Sequence, residues 1–320
     1  MAMQGLGLVA DIGATNTRLA LVEPGGAVTR VRVFATDEAP DLGDMIAAYL
    51  AAETAAIRPV AAVLAIAAPV SGDEITLTNF PWTFSIHDLR DRFGLKQLRV
   101  INDFVANAYA LPHLGDNDCT KVGAGAPVLG APCGVLGPGS GLGVSAVVPG
   151  DGGALTPISG EGGHVTMAAA HEHEAAVLDL LRRRLDHVSA ERVLSGPGIL
   201  NLYNALCELA GEPQEQFTPA QITDVKTGEE HPRARAATEM FCAMLGTIAG
   251  NLALTLGARG GIYIAGGIVP RLGTRFAESQ FRARFEAKGR FRDYLAAVPT
   301  YVIIRPFPAL LGAAKLLESL

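Results

Sequence analysis

The sequence has few of the features that mark several common protein classes. Its 320 residues include four cysteines, and no two of them form a CxxC pair, so neither a thiol redox motif nor a cysteine zinc site is indicated. The formal net charge is -6, which argues against a nucleic-acid binder, because such proteins usually carry a basic surface. The charge does not exclude an anionic ligand, since helix N-termini and backbone amides bind phosphate without lysines. With 49% hydrophobic and 18% charged residues, the chain is predicted to fold.

Signals for secretion and membrane insertion are also scarce. Met1–Gly7 has no basic region followed by an apolar stretch, so no signal peptide is predicted. Met240–Ala258 contains no charged residue, but a membrane span needs about 20 apolar residues, and this stretch includes Gly250 and Asn251. We therefore expect a buried helix of a soluble domain. These observations together predict a cytoplasmic protein with no membrane partner.

What the sequence does contain is an alternation of apolar strands and amphipathic helices, which indicates α/β layers. The segment Gly115–Pro132, rich in Gly and Pro, is predicted to be a linker into a second domain. The predicted strands are Leu6–Ala10, Arg18–Val22, Val60–Ile66, Leu98–Ile101, Cys133–Leu136, Val144–Val148, Gly261–Ala265 and Tyr301–Ile304. The predicted helices are Asp41–Ala56, Phe104–Leu111, Glu174–Val188, a helix that follows Gly196-Pro-Gly198 and ends at Ala210, and a last helix from Ala309 onward. His231–Leu256 is predicted to be one long helix or a kinked pair of helices.

Two glycine-containing turns, Asp11–Thr15 and Gly137–Gly143, each connect two apolar strands. Glycine lets the backbone approach a phosphate chain closely enough for its amides to bind it. Thr15, Asn16 and Ser140 add side-chain donors, and Asp11 is suited to hold Mg²⁺ or its water. Both turns are alternatively plain hairpin turns. Neither is a Walker loop, because GxxxxGK[ST] is absent, and neither fits a dinucleotide-binding fingerprint.

Asp103 follows a predicted strand in Ile101-Asn-Asp-Phe104. Acidic residues at the carboxyl ends of strands occupy the usual site of α/β active centres, so Asp103 is a candidate general base for a substrate hydroxyl that attacks a phosphoryl group. The alternative is that Asp103 caps the helix that begins at Phe104. The residues alone leave both interpretations open.

A third polar cluster lies in Ser159-Gly-Glu-Gly-Gly-His-Val165. Glu161 and His164 suit a sugar, because each hydroxyl of a sugar is both a donor and an acceptor. A zinc site would need further ligands; His171 and His173 are near, but Glu172 and Glu174 around them indicate a solvated helix start. Glu191 is either a ligand-binding group or only an acid in the first turn of a helix.

These motifs occur together, and in this order, in one known family. The sequence resembles the bacterial glucokinases, within the actin-like sugar kinase and ATPase superfamily, from Leu8 to about Leu317. The motifs that carry the resemblance are Asp11-Ile-Gly-Ala-Thr-Asn-Thr-Arg18, Thr78-Asn-Phe-Pro-Trp82, Ile101-Asn-Asp-Phe104, Gly137–Gly143, Gly160-Glu-Gly-Gly-His164, Ser189-Ala-Glu-Arg-Val-Leu-Ser-Gly196 and Ile264-Ala-Gly-Gly-Ile268.

The resemblance implies an α/β protein with the two-domain actin-like ATPase (ribonuclease H-like) fold, with ATP and sugar in the cleft between the domains. A small α/β domain would comprise residues 1–113 and 305–320, and a larger α+β domain residues 114–304. The C-terminal helix would return to pack on the first domain. Ala14 stands where many relatives have glycine, and Pro138 where a small residue is common; neither change removes a reacting group.

Site residues follow from the resemblance motif by motif. Asp103 matches the catalytic base, and it also contacts the substrate. The residues that match glucose-binding positions are Asn102, Glu161, His164 and Glu191. The first phosphate loop of the family is matched by Ala10, Asp11, Ile12, Gly13, Ala14 and Thr15. The second phosphate loop is matched by Gly139, Ser140 and Gly141. The turn beside adenosine is matched by Gly266 and Gly267.

The activity implied is transfer of the ATP γ-phosphoryl group, with Mg²⁺, to the 6-hydroxyl of glucose, giving glucose 6-phosphate for glycolysis. A homodimer is a further implication of the family. Rival interpretations are a kinase for another hexose, an enzyme using ADP or polyphosphate as donor, a non-catalytic sugar sensor, and an actin-like ATPase that acts on proteins. The cysteine cluster and helix-turn-helix extension of related repressors are missing, which argues against a zinc site and a DNA-binding repressor.

Overall fold

A computed structural model describes residues 5–54, 58–150 and 154–320. Within these residues the strands are, in chain order, β1 (Gly7–Ile12), β2 (Asn16–Val22), β3 (Val28–Ala35), β4 (Ala61–Ile66), β5 (Glu74–Thr76), β6 (Thr83–Ser85), β7 (Gln97–Asn102), β8 (Cys119–Val122), β9 (Cys133–Pro138), β10 (Leu142–Pro149), β11 (Leu155–Gly160), β12 (Gly261–Ile264) and β13 (Thr300–Ile303). The α-helices are α1 (Leu42–Glu53), α2 (Ile86–Phe93), α3 (Asp103–Ala110), α4 (Glu172–Arg182), α5 (Gly196–Ala210), α6 (Pro219–Ile222), α7 (Val225–Glu230), α8 (Pro232–Leu256), α9 (Val269–Leu272), α10 (Thr274–Glu278), α11 (Phe281–Glu286), α12 (Arg292–Ala296) and α13 (Pro308–Glu318).

The chain divides into two compact units. Unit 1 comprises Met1–Leu114 together with Arg305–Leu320, and unit 2 is the continuous segment Gly115–Ile304. The first boundary therefore falls one residue later than the 113/114 boundary expected from the sequence.

Unit 1 is built on a five-stranded sheet of order β3-β2-β1-β4-β7. β1, β4 and β7 are parallel, and β2 and β3 pair antiparallel to their neighbours. Every residue of β4 is buried, as expected for a parallel strand covered on both faces. On one face, α1, α2 and the β5–β6 ribbon contribute Tyr49, Leu89 and Trp82 to a core with the sheet, and on the other face α13 packs through Leu310 and Leu317.

The C-terminal helix α13 is an integral part of unit 1. It packs closely against α3, and a methyl group added at Gly312 would collide with the carbonyl oxygen of Ala106. This close approach of two helix backbones requires a residue without a side chain. The sequence resemblance implied this return of the last helix to the first domain.

Unit 2 contains a six-stranded sheet of order β11-β10-β9-β12-β13-β8. Its first five strands repeat the topology of unit 1. β9, β12 and β13 are parallel, β9 and β10 form an antiparallel hairpin, and β11 extends that hairpin. The predicted repetition of strand, glycine turn and strand is therefore confirmed, and β8 adds an antiparallel edge strand next to β13.

The core of unit 2 lies around α8, a single helix of 25 residues. Phe241, Met244 and Leu245 are completely buried in it. Within the described residues α8 is the one helix long and apolar enough to cross a membrane, but 61% of its most apolar window is buried inside the protein. It therefore packs as a core helix, as the sequence predicted for Met240–Ala258.

Several predicted boundaries differ from the structure. The segment Gly115–Pro132 is not only a linker, because it contains β8, which pairs with β13. The helix predicted over Glu174–Val188 begins earlier and ends at Arg182. The helix predicted over Asp41–Ala56 begins after Asp41, whose side chain accepts a hydrogen bond from the N–H of Asp44. Residues 55–57 at the predicted end of this helix, and residues 1–4 of the segment tested for a signal peptide, lie outside the described residues.

The prediction that Glu174 belongs to a solvated helix start is wrong. Glu174 keeps 4% of its surface exposed, and Arg284 contacts both of its carboxylate oxygens, at 2.6 and 3.2 Å. The N–H of Ala170 donates a third hydrogen bond to this carboxylate, and Arg284 also donates to Thr247. A buried carboxylate is stable only with such partners; the neighbouring Glu172 is exposed, as predicted.

Candidate active site

The first glycine turn connects β1 and β2 in unit 1. The N–H of Gly13 donates to the carbonyl of Asn16, at 3.0 Å, and closes the turn. The carbonyl of Gly13 accepts from the hydroxyl of Thr36, at 2.8 Å. Among the described residues the amides of Ala14 and Thr15 have no acceptor. The turn is thus fixed from behind, with two donors available to an anion.

Asp11, the candidate magnesium ligand, precedes this turn. Arg18 on β2 donates to its Oδ2 at 2.9 Å, and the Arg18 guanidinium lies 5.4 Å from the centre of the Phe307 ring. Burial raises the pKa of Asp11, and the charge and hydrogen bond of Arg18 oppose that shift. No part of the described chain, the surroundings of Asp11 included, provides three clustered His, Cys, Asp or Glu side chains. Mg²⁺ usually takes one or two carboxylates together with substrate phosphates, so Asp11 fits such a site as its carboxylate.

Asn102 and Asp103 lie at the same edge of the sheet as the first turn. Ile12, Ile66 and Asn102 are aligned across β1, β4 and β7, so the segments that follow these strands leave the sheet together. Strands are spaced about 4.8 Å apart, which puts the backbones after β1 and β7 on the order of 10 Å from each other.

The helix cap in this segment is Asn102 and not Asp103. The Oδ1 atom of Asn102 accepts from the N–H groups of Phe104 and Val105, at 2.8 and 3.3 Å. Asp103 is the first residue of α3, and its Oδ1 accepts from the N–H of Phe104 at 2.9 Å. The capping interpretation of Asp103 is therefore wrong in its main point, because the capping function is fulfilled by its neighbour.

The second glycine turn, Gly139–Gly141, occupies the corresponding position in unit 2. The N–H of Gly139 donates to the carbonyl of Gly141 at 2.8 Å, and the carbonyl of Gly139 accepts from the N–H of Gly196 at 2.8 Å. Ser140 is exposed. Within the described chain the amides of Ser140 and Gly141 have no acceptor, so this turn also presents donors to an anion.

The turn after β12 lies beside the second glycine turn. The N–H of Ala265 donates to the carbonyl of Leu136 at 2.9 Å. Gly266 has a φ of +82°, and a methyl group there would collide with the carbonyl of Pro138. Gly266 is therefore glycine both for its backbone conformation and for this close approach. Gly267 is exposed and has open space around it.

Glu191 links the polar segment Ser159–Val165 to the second glycine turn. The N–H of Leu142 donates to Oε2 of Glu191 at 2.8 Å, and the N–H of Glu191 donates to the carbonyl of Gly163 at 2.9 Å. Gly163 lies in the short 3-10 turn that contains His164, and Glu161 directly precedes it. The interpretation of Glu191 as a first-turn acid is wrong, because α5 begins five residues later, at Gly196.

Each unit thus brings together a set of the predicted residues. In unit 1 the first glycine turn, Asn102 and Asp103 share one edge of the sheet. In unit 2 the Gly266–Gly267 turn approaches Pro138 at the start of the second glycine turn, and Glu191 contacts the end of that turn at Gly141 and Leu142. Glu161 and His164, both exposed, lie next to Gly163, whose carbonyl accepts from the N–H of Glu191.

Sequence reasoning missed the residues that support these loops. Thr36 is fully buried and holds the first loop through Gly13, and its hydroxyl also contacts that of Thr17 at 3.1 Å. Ser195 donates to the carbonyl of Glu191 at 2.8 Å and caps α5. A serine before Gly-Pro at a helix start is a capping signal, but nothing in the sequence connects Thr36 with a loop more than twenty residues earlier.

Comparison with solved structures defines the class of protein. The fold is that of the actin-like sugar kinases: a glucokinase from an Antarctic psychrotroph superposes with a TM-score of 0.89 at 36% identity, covering 99% of this chain and 100% of that one. The family follows from the sequence comparisons. The glucokinase family model matches residues 8–320, and the chain belongs to the glucokinase family.

Two similar relatives extend over nearly the whole chain. The glucokinase of Paramagnetospirillum magneticum is 49% identical over 317 residues, covering 99% of both chains. The glucokinase of Nitrobacter hamburgensis is 47% identical over 315 residues, covering 98% of both. The resemblance inferred from the ordered motifs is therefore confirmed.

Proposed function

We propose that the protein transfers the γ-phosphoryl group of ATP to the 6-hydroxyl of glucose and releases ADP and glucose 6-phosphate. The observation that carries this proposal is the contact between Glu191 and the second glycine turn. A carboxylate suited to sugar hydroxyls shares a hydrogen bond with the loop whose free amides suit phosphates. Membership of the glucokinase family supports the same substrate.

In this mechanism the sugar is oriented by hydrogen bonds. Asn102, Glu161, His164 and Glu191 bind its hydroxyl groups, and Asp103 orients the 6-hydroxyl and accepts its proton as the oxygen attacks phosphorus. The side chain of Asn102 is held by α3, and that of Glu191 by Leu142. Catalysis of phosphoryl transfer depends mainly on such positioning and on electrostatic stabilisation.

The nucleotide is bound by backbone amides. Four backbone N–H groups in the two glycine turns have no hydrogen-bond acceptor among the described residues: those of Ala14, Thr15, Ser140 and Gly141. In the proposal these N–H groups donate to the phosphates. In the proposal, the turn at Gly266 and Gly267 would lie beside the adenosine. Asp11 is the residue that would hold Mg²⁺, directly or through its water, and the ion would neutralise charge on the phosphates. We further propose that the protein is cytoplasmic and forms a homodimer; sedimentation velocity tests the homodimer.

The decisive assay is release of ADP from Mg·ATP with and without glucose, together with a panel of other hexoses. We expect release that depends on glucose. Release with another hexose alone would replace the substrate but retain the kinase, release without any sugar would favour an ATPase, and no release at all would favour a sugar sensor or another donor.

The role of Asp103 is tested by Asp103→Ala. Loss of a general base typically costs about 10²–10⁴-fold in rate, so we expect turnover to fall by at least a hundredfold while glucose still binds. Asp88→Asn is a matched control, because Asp88 also lies in the first turn of a unit 1 helix and is exposed. Turnover of Asp103→Ala close to that of the control would exclude Asp103 as the base.

A further inference from the structure

We propose that Glu191 also positions the second phosphate loop, and that residue 141 is glycine in order to leave room for the Glu191 carboxylate. In this view the two oxygens of one carboxylate have different partners. Oε2 holds the loop, and Oε1 is left for the sugar. The inference rests on the proposed function for the identity of the sugar, but the contact with the loop is independent of it.

Glu191 is held at three points. Its Oε2 accepts from the N–H of Leu142, the first residue after the loop, at 2.8 Å. Its own N–H donates to the carbonyl of Gly163, and its carbonyl accepts from the hydroxyl of Ser195. The Oε1 atom accepts no hydrogen bond from the described residues. The carboxylate is thus fixed in orientation with one oxygen available to a ligand.

Gly141 is the residue that this arrangement constrains most. Its backbone does not have a positive φ, so its conformation is one that alanine can adopt. A methyl group at position 141, however, would lie 2.5 Å from Oε2 of Glu191. At Gly139, two residues earlier in the same loop, a methyl group would have no atom within 4 Å. The need for glycine at position 141 therefore comes from the carboxylate behind the loop.

This geometry couples the two ligand sites of unit 2. An alanine at position 141 would push the end of a flexible side chain away, which costs the fold little but breaks the bond to Leu142 and misplaces Oε1. A substitution in the phosphate loop is then expected to lower the affinity for the sugar. Conversely, loss of the Glu191 carboxylate should weaken nucleotide binding, because its Oε2 no longer accepts from the N–H of Leu142 at the end of the loop.

The first experiment compares Gly141→Ala with Gly139→Ala by calorimetric titration with glucose in the absence of nucleotide. A hydrogen bond to a charged group is equivalent to about tenfold in affinity, so we expect Gly141→Ala to raise the Kd for glucose about tenfold and Gly139→Ala to leave it within about twofold. Thermal unfolding of both variants should match that of the wild type, since a structural defect would lower it.

The reciprocal experiment measures the Kd for Mg·AMPPNP without sugar in Glu191→Ala, Glu191→Gln and Glu161→Ala. The carbonyl of glutamine can still accept from the N–H of Leu142, so we expect Glu191→Gln to bind the nucleotide like the wild type. Glu191→Ala loses the acceptor and should bind it about tenfold more weakly. The side chain of Glu161 accepts no hydrogen bond from the loop within the described residues, so Glu161→Ala should show no change.

The possible outcomes separate the two proposals. If the wild type binds glucose and Gly141→Ala binds it equally well, the positioning role is refuted while the proposed function stands. If the wild type binds no glucose, the proposed function fails, and the nucleotide titrations still test the contact. Equal nucleotide affinity of Glu191→Ala and Glu191→Gln would overturn the positioning role by itself.

Discussion

The buried ion pair between Glu174 and Arg284 yields the strongest prediction for stability. It joins the start of α4 to α11 inside unit 2, with 4% and 8% of the two residues exposed. Arg284 donates to both carboxylate oxygens and to Thr247. Glu174→Ala would leave a guanidinium buried with only a hydroxyl partner. Breaking such a pair costs about 3–5 kcal/mol, a large part of the roughly 5–15 kcal/mol that stabilises a typical protein.

The assay is urea unfolding followed by circular dichroism, which reports mainly on helices. With a dependence of about 1–3 kcal/mol per molar urea, we expect the midpoint for unit 2 to fall by about 1 M or more. Fluorescence of Trp82, the single tryptophan, reports on unit 1. The matched control is Asp179→Ala on the same helix, which removes an exposed ion pair with Arg182 and should cost less than about 1 kcal/mol.

The same pair predicts how stability depends on pH. Burial pulls the pKa of Glu174 upward, but the hydrogen bonds from Arg284 and Ala170 and the Arg284 charge outweigh it, so the pKa lies below the ordinary value of 4.5. The folded state then binds fewer protons than the unfolded state. Stability is retained above pH 4.5 and is lost as the pH falls through the folded pKa. Glu174→Gln should lack this acid-dependent loss. A midpoint shift for Glu174→Ala no larger than that of the control, or an unchanged acid limb in Glu174→Gln, would refute the reasoning.

Three further predictions concern the loops and the last helix. Thr36→Val removes a buried hydrogen bond to Gly13 in the first glycine turn, which costs about 1–3 kcal/mol. If this turn binds phosphate as proposed, we expect the KM for ATP to rise about tenfold or more in steady-state assays, with the KM for glucose unchanged. Gly266→Ala should weaken nucleotide binding strongly in titrations, whereas Gly267→Ala, which has open space, should not. Gly312→Ala should lower the unfolding midpoint of unit 1, seen by tryptophan fluorescence, because overpacking costs about 1–3 kcal/mol.

Local patterns were enough to predict much of the fold and the location of both loops. The hairpins around Gly13 and Ser140 were predicted from apolar runs interrupted by glycine, and both are present as β1–β2 and β9–β10. These features depend on neighbours within a few residues, where turn chemistry and periodicity decide the structure. The helix α8 was predicted in the same way, from a long apolar segment.

Several of the failures involve partners far along the chain. β8 is four residues long and is a strand only because β13, nearly two hundred residues later, pairs with it. The sequence around Glu174 is typical of a surface acid, and its burial depends on Arg284, which lies 110 residues away along the chain. Likewise, the contact of Glu191 with Leu142 spans 49 residues. The sequence motifs therefore identified these candidate groups without indicating what fixes them in place.

The position of α13 has a consequence for how the protein is made. Unit 2 is one uninterrupted segment, Gly115–Ile304, so it can begin to fold during translation as soon as that segment has left the ribosome. The first strand of unit 1 begins at residue 7, near the start of the chain. One face of its sheet, however, packs against Leu310, Ala313 and Leu317, which belong to the final helix. During synthesis, nearly two hundred intervening residues must therefore be translated before the final helix can cover this apolar face of the sheet. A nascent chain held at Ile304 should expose that face to chaperones or proteases, and release of the last sixteen residues should close it.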